Sequence, residues 1–172
     1  RIYLTGEEQD KYPTVDQYLS LVRYSDDAVQ ELISYFSKVD EPTAIVFFGD
    51  HQPNLPEDFY NTLLESQRGN LSDAELRQKK MVTPFFIWAN YDVAGSAADD
   101  AREDLSANYL GSRVLELAGA PLTERRRSSL ALRESMPALF PFGSEDADGT
   151  WSPLDLKEGL SGVALDAQKI QY

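Results

Sequence analysis

A chain of 172 residues, 42% hydrophobic and 26% charged, is long enough to bury a real core and suits a single globular domain. A net charge of −13 and a pI near 4.4 exclude a nucleic-acid or anionic-membrane surface, both of which need clustered Lys and Arg. With no cysteine there are no disulfides or thiolate sites, and no apolar run approaches the ~18 residues that span a bilayer.

The chain begins at Arg1 without a methionine, so a longer parent is expected. Residues 1–6 form a short β-like segment that frays unless it is paired. The next signal is helical. Val15, Tyr18, Leu19, Val22, Val29, Leu32, Ile33 and Phe36 share one face of a helix over 15–38. Thr14 and Gln17 give it a capping-box pattern, and Asp16 adds negative charge to the first turn. Ser25 and Asp26 interrupt the stripe at inward positions. A buried polar pair needs hydrogen-bond partners, so a bond to a neighbouring loop is the first reading and support for the site described next is the second.

Ala44-Ile45-Val46-Phe47-Phe48 is a continuous apolar run between Pro42 and Gly49. Such a run reads as a strand buried on both faces, and both-face burial predicts an α/β fold with a mainly parallel sheet flanked by helices. Ligands in these sheets sit beyond the carboxyl ends of strands, where Asp50 and His51, the single histidine, fall. A carboxylate beside an imidazole suits a divalent cation, although a tight site needs three or four protein ligands.

Gln52-Pro53-Asn54-Leu55-Pro56 is loop, since two prolines remove donors. A short amphipathic helix follows over 57–66, with Phe59, Tyr60, Leu63 and Leu64 inward, and then loop over 67–70. A polar helix over 71–80 is capped by Ser72 with Glu75 at its third position. Residues 52–80 are therefore an excursion near Asp50 and His51. A second core strand is expected over 82–89, with Pro84 at its start, and an acidic loop over 90–104. Ser106 caps a helix over 106–118, with Leu105 and Leu110 as a hydrophobic staple, Leu110, Val114, Leu117 and Ala118 turned to the sheet, and Gly119 and Pro121 as its stop. Arg125-Arg126-Arg127 reads as a solvated loop, and residues 136–142 as an irregular apolar cover. Glu145, Asp146 and Asp148 lack the ligand order of a calcium loop and read as a solvated turn, while the tail over 155–172 has helical tendency.

The chain holds no phosphate-binding Gly-rich loop and no Gly-x-Ser-x-Gly elbow, which leaves metal-assisted chemistry as the reaction class. Val46-Phe47-Phe48-Gly49-Asp50-His51-Gln52-Pro53 resembles the strand and Gly-Asp-His signature of the alkaline phosphatase superfamily. Within it the likeness is to the sulfatase-like phosphoglycerol transferases, the lipoteichoic acid synthase family. The segment from Tyr18 to Asp26, the strand Thr83-Pro84-Phe85-Phe86-Ile87-Trp88-Ala89-Asn90, and the segment from Asn108 to Pro121 agree in the same order.

The resemblance implies that these residues form the C-terminal half of an alkaline-phosphatase-like catalytic domain. It implies a divalent metal, Mn²⁺ first with Mg²⁺, Zn²⁺ and Ca²⁺ as alternatives, held by Asp50, His51, a glutamate and a threonine nucleophile. The segments carrying the last two precede the matched region, so no catalytic nucleophile and no substrate-binding residue is assigned within the chain. The implied reaction moves a phosphoglycerol headgroup from phosphatidylglycerol to a glycerol or sugar acceptor in cell-envelope polymer synthesis. The implied partners are that lipid headgroup or glycerol phosphate, the rest of the catalytic domain, and N-terminal membrane spans that place it on the extracellular face of the membrane. A sulfatase or phosphatase of the same superfamily, and a non-enzymatic module that binds a partner through 52–80, are the competing readings.

Overall fold

In a computed structural model that describes residues 1–69, 71–93, 103–140 and 143–153, the chain divides into two units, Arg1–Tyr91 and Asp92–Tyr172. Helices mix with small antiparallel sheets.

The first unit is built along α1 (Pro13–Phe36). Pro13 stands at the first helical position, where its fixed φ suits the helix and its missing N–H would be unbonded anyway. The helix thus starts at a proline, with Tyr12 as N-cap and no side-chain cap bond, and the capping box expected of Thr14 and Gln17 is not formed. Asp16 and Ser20, one turn apart, are buried beside Val15 because the N-terminal strand-like segment bonds to them. Leu4 N–H donates to Asp16 Oδ1 (2.7 Å), and Ile2 N–H to Ser20 Oγ (2.8 Å). Helix side chains therefore replace the strand partner that residues 1–6 require. The inward polar pair is not where the stripe placed it, since Ser25 and Asp26 are exposed and Arg23 pairs with Asp27 at 3.0 Å.

Strands β1 (Ala44–Phe48) and β2 (Phe85–Ala89) are adjacent, as expected, but antiparallel, with Ala44 opposite Ala89 and Phe48 opposite Phe85. This corrects the parallel sheet. Gly49 N–H donates to Pro84 O at 3.0 Å, so the excursion between the strands leaves and returns at the same end of the ribbon. Only opposite strand directions allow that closure. Alternation puts Ile45 and Phe47 with Phe86 and Trp88 on one face, and Val46 and Phe48 with Phe85 and Ile87 on the other. Both faces are apolar, as the run implies. Neither face is buried, which corrects the strand read as buried on both faces: every residue of β1 and β2 is half-buried or exposed, Phe47 and Phe48 by 40% and 54%.

Asn90 ties the far end of the ribbon to α1. Its Oδ1 accepts from Thr43 N–H at 2.8 Å, and its Nδ2 donates to the carbonyls of Phe36, Val39 and Glu41 at 2.9–3.0 Å. One amide thereby satisfies carbonyls left over at the helix end and in the turn into β1.

Within the excursion, α2 (Glu57–Arg68) runs two residues past its predicted end. Phe59 is buried with its ring 5.2 Å from that of Tyr12, whereas Leu63 is exposed rather than inward. Helix α3 (Asp73–Lys79) opens with the expected capping box of Ser72 and Glu75.

In the second unit α4 (Ala107–Leu117) has Ser106 at its N-cap, but the hydroxyl caps nothing in the helix. It donates to Leu139 O (2.8 Å) and accepts from Leu139 N–H (3.0 Å), pinning a strand instead. The stop is as predicted: Gly119 takes φ +66°, its N–H reaches Glu116 O, and Ala120 N–H reaches Leu115 O. That is the paired bond pattern of a Schellman motif. The Arg125–Arg127 run is helical, not loop, because Thr123 caps α5 (Glu124–Ser135) by accepting from Arg126 N–H. Glu103, Arg113, Glu116 and Arg133 form an ion-pair cluster joining α4 and α5, with Arg113 bonded to Glu103 at 3.1 Å and to Glu116 at 2.7 Å.

Residues expected to be irregular form a meander, β3 (Ala138–Phe140), β4 (Gly143–Glu145) and β5 (Trp151–Pro153). The Trp151 ring lies so close over Gly143 that no Cβ fits there. The acidic turn is local, as predicted: Asp146 Oδ1 accepts from the N–H groups of Asp148 and Thr150 at 3.0 and 2.9 Å. Among the described residues of this unit, Tyr109, Leu110, Leu130, Met136 and Ala138 are the buried apolar ones. The helical tail expected over 155–172, and most of the acidic loop expected over 90–104, lie outside the described residues.

Candidate metal centre

Gly49 ends β1 because nothing larger fits. A Cβ there would stand 2.9 Å from Thr83 Cβ and 3.3 Å from its Cγ2. Thr83 is in turn held by its hydroxyl, which donates to Gly49 O at 2.9 Å. The chain then leaves the ribbon at Asp50, and the sharp exit turns both Asp50 and His51 outward, 80% and 78% exposed at the side chain. The sequence placed the pair at this strand end, and the structure puts it there.

The two side chains are ordered by short-range bonds. Asp50 Oδ1 accepts from His51 N–H at 3.0 Å. His51 Nδ1 lies 2.9 Å from Gln52 O. A carbonyl only accepts, so Nδ1 carries the proton and the lone pair of the neutral ring is on Nε2. Nε2 stands 3.6 Å from Asp50 Oδ2.

Two donors that share one first-row divalent cation, each about 2.0–2.2 Å from it, stand about 3–3.5 Å apart. The donor chemistry of Nε2 and Oδ2 and their access to solvent suit a shared ion, and their 3.6 Å spacing lies just above that range. A backbone acceptor on the other ring nitrogen is the arrangement that liganding histidines use. Among the described residues no group of three or more His, Cys, Asp or Glu that could hold a metal ion converges, and Asp50 and His51 stand together as a pair.

Residues of the excursion surround the turn. Gln52 Nε2 donates to Val82 O, and Tyr60 hydroxyl donates to Pro53 O at 2.6 Å. Burial, then the neighbouring Tyr18, raises the Tyr60 hydroxyl above the ordinary phenol value, which keeps its donated proton in place. Tyr12 is raised likewise, by burial and then by its bond to Asp58 (3.1 Å), and so joins α2 to the start of α1. Sequence reasoning quoted Gln52 and Thr83 as parts of two motifs and assigned neither a task. The Thr-Pro at a strand start was the available signal, but its meaning depends on which turn it touches.

Residues 3–120 match the family model described as Sulfatase. A relative from Rhizobium meliloti (strain 1021), named capsular polysaccharide biosynthesis protein RkpI, is 46% identical over 41 residues, 24% of this chain. The chain spans 8% of the length of that curated relative. No solved structure matches the chain.

Proposed function

The chain belongs to the sulfatase family, and from that premise we propose that it works as the C-terminal part of a metal-dependent phosphoglycerol transferase in cell-envelope polymer synthesis. The observation that carries this reading is the outward-facing Asp50–His51 pair, with Nδ1 of the ring on the Gln52 carbonyl at 2.9 Å and Nε2 3.6 Å from the carboxylate. The name of the similar protein, a capsular polysaccharide biosynthesis protein, favours a surface polymer over a sulfate ester as the context of the reaction.

In this reading Asp50 and His51 are two ligands of a divalent cation, Mn²⁺ first. Asp50 contributes negative charge, and His51 contributes the Nε2 lone pair while Gln52 O keeps the ring proton on Nδ1. When bound, the cation lowers the pKa of an attacking hydroxyl and offsets charge on the phosphoryl oxygens. The hydroxyl and the remaining ligands come from a longer catalytic domain on the extracellular face of the membrane. The substrate is a phosphatidylglycerol-type headgroup.

The test is headgroup transfer from a labelled phosphatidylglycerol by the protein that carries both this chain and the nucleophile-bearing segment. Asp50→Asn keeps the shape and removes the charge that holds the ion, so a loss of several kcal/mol in the barrier, on the order of 10³-fold, is expected. Normal turnover and normal metal content in Asp50→Asn would reject the assignment.

A further inference from the structure

The His51 side chain is 78% exposed, so packing does not orient its ring. Two contacts orient it, Nε2 to Asp50 Oδ2 at 3.6 Å and the shorter one from Nδ1 to Gln52 O at 2.9 Å, whose acceptor belongs to the next residue in the chain. The bond is useful only if the peptide joining Gln52 to Pro53 is itself held still. Pro53 restricts Gln52 to extended backbone but leaves freedom within that region.

Two groups remove the remaining freedom. The Gln52 side-chain amide donates to Val82 O on the returning strand. On the other side of the turn, Thr83 hydroxyl donates to Gly49 O at 2.9 Å while Gly49 N–H donates to Pro84 O at 3.0 Å. The turn from Gly49 to Pro53 is thus bonded on both flanks to residues 82–84. Tyr60 closes the ring of contacts on Pro53 O at 2.6 Å.

We propose that Gln52 and Thr83 are positioning residues for the Asp50–His51 pair: they clamp the turn so that the Gln52 carbonyl keeps the imidazole proton on Nδ1 and presents Nε2 beside the Asp50 carboxylate. This rests on the metal reading above for its purpose, but the clamp is tested without metal. A neutral imidazole in an unheld turn exchanges between two tautomers, and only one of them offers Nε2. The Thr-Pro strand start and the Gly-Asp-His turn, separated by the whole excursion, are one device.

The chain has a single histidine, so its ring nitrogens give one unambiguous pair of signals in a long-range ¹H–¹⁵N spectrum. In the metal-free chain, at a pH where the ring is neutral, wild type should show a protonated Nδ1 and an unprotonated Nε2. Gln52→Met and Thr83→Val keep the side-chain bulk and remove the bonds, and both should collapse that preference to a tautomer mixture. Thr83→Ser restores the hydroxyl and should restore the preference. A dispersed amide spectrum establishes that each variant is folded, which a merely structural loss would not survive. In a second arm Mn²⁺ is titrated and broadening of the ring protons is followed. Gln52→Met should need about 10- to 100-fold more Mn²⁺ than wild type. Wild type with the proton on Nε2, or folded Gln52→Met and Thr83→Val that both keep the wild-type tautomer, overturns the proposal. A wild-type ring that Mn²⁺ fails to broaden overturns the metal reading instead, while the tautomer result still decides the clamp.

Discussion

Replacing Gly49 by alanine tests the closest approach in the ribbon. The new Cβ would stand 2.9 Å from Thr83 Cβ, 3.3 Å from Thr83 Cγ2 and 3.7 Å from Pro84 Cδ. Apolar carbons rest about 3.5–4.0 Å apart, so the two chain segments have to separate by roughly 0.7 Å. Thr83 cannot give way by rotation, because the offending atom is its Cβ and its hydroxyl is bonded to Gly49 O. A separation of that size takes the 3.0 Å bond from Gly49 N–H to Pro84 O and the 2.9 Å bond from Thr83 beyond hydrogen-bonding distance. Each such bond is worth about 1 kcal/mol net. The backbone of Gly49 is not in the left-handed region, so alanine adds no conformational strain and stiffens the unfolded chain by about 0.4–1 kcal/mol in favour of folding. The expected balance is a loss of about 1–2 kcal/mol, read as a fall in the urea midpoint at constant slope. Thr83→Ser should not rescue it, because the Cβ remains. Thr83→Gly in the same background should recover part of the loss, a coupling that a double-mutant cycle isolates. A Gly49→Ala chain as stable as wild type, or more stable, would refute the steric argument and with it the tight closure under Asp50 and His51.

Two further outcomes follow from the same contacts. Asn90→Asp keeps the acceptor for Thr43 N–H but replaces a donor by a carboxylate facing the carbonyls of Phe36, Val39 and Glu41, so stability should fall by about 2–3 kcal/mol near neutral pH and partly recover once the new acid is protonated; a change below about 0.5 kcal/mol in denaturant unfolding would show the hub to be idle. Glu75 is held below its ordinary pKa by the Ser72 hydroxyl and then by the Ser72 N–H. Its folded value is depressed, so the capping-box contribution is complete above the unfolded value of 4.5 and is lost as pH falls through the lower folded midpoint. The carboxyl ¹³C titration of Glu75 should move up in Ser72→Ala, and an unchanged midpoint would refute the cause.

Signals confined to a few neighbouring residues were legible in the sequence. The capping box at Ser72 and Glu75, the glycine stop at Gly119 and the acidic turn at Asp146 are satisfied by atoms within about one helical turn or one hairpin. The apolar run from Ala44 to Phe48 determined a strand with two apolar faces, and the residues after it determined where Asp50 and His51 would lie. Strand direction was not legible, because an apolar run reads the same in either pairing. It was decided by the bond that closes Gly49 on Pro84 across the whole excursion. The same holds for Asp16 and Ser20, whose burial depends on backbone at residues 2–4, and for Ser106, a cap by sequence that is spent on Leu139. The contacts of the His51 ring, by contrast, are all with its chain neighbours Asp50 and Gln52. A residue type states which bonds a side chain can make, but for Asp16, Ser20 and Ser106 the partner within 3 Å is settled only when segments far apart in the chain have packed.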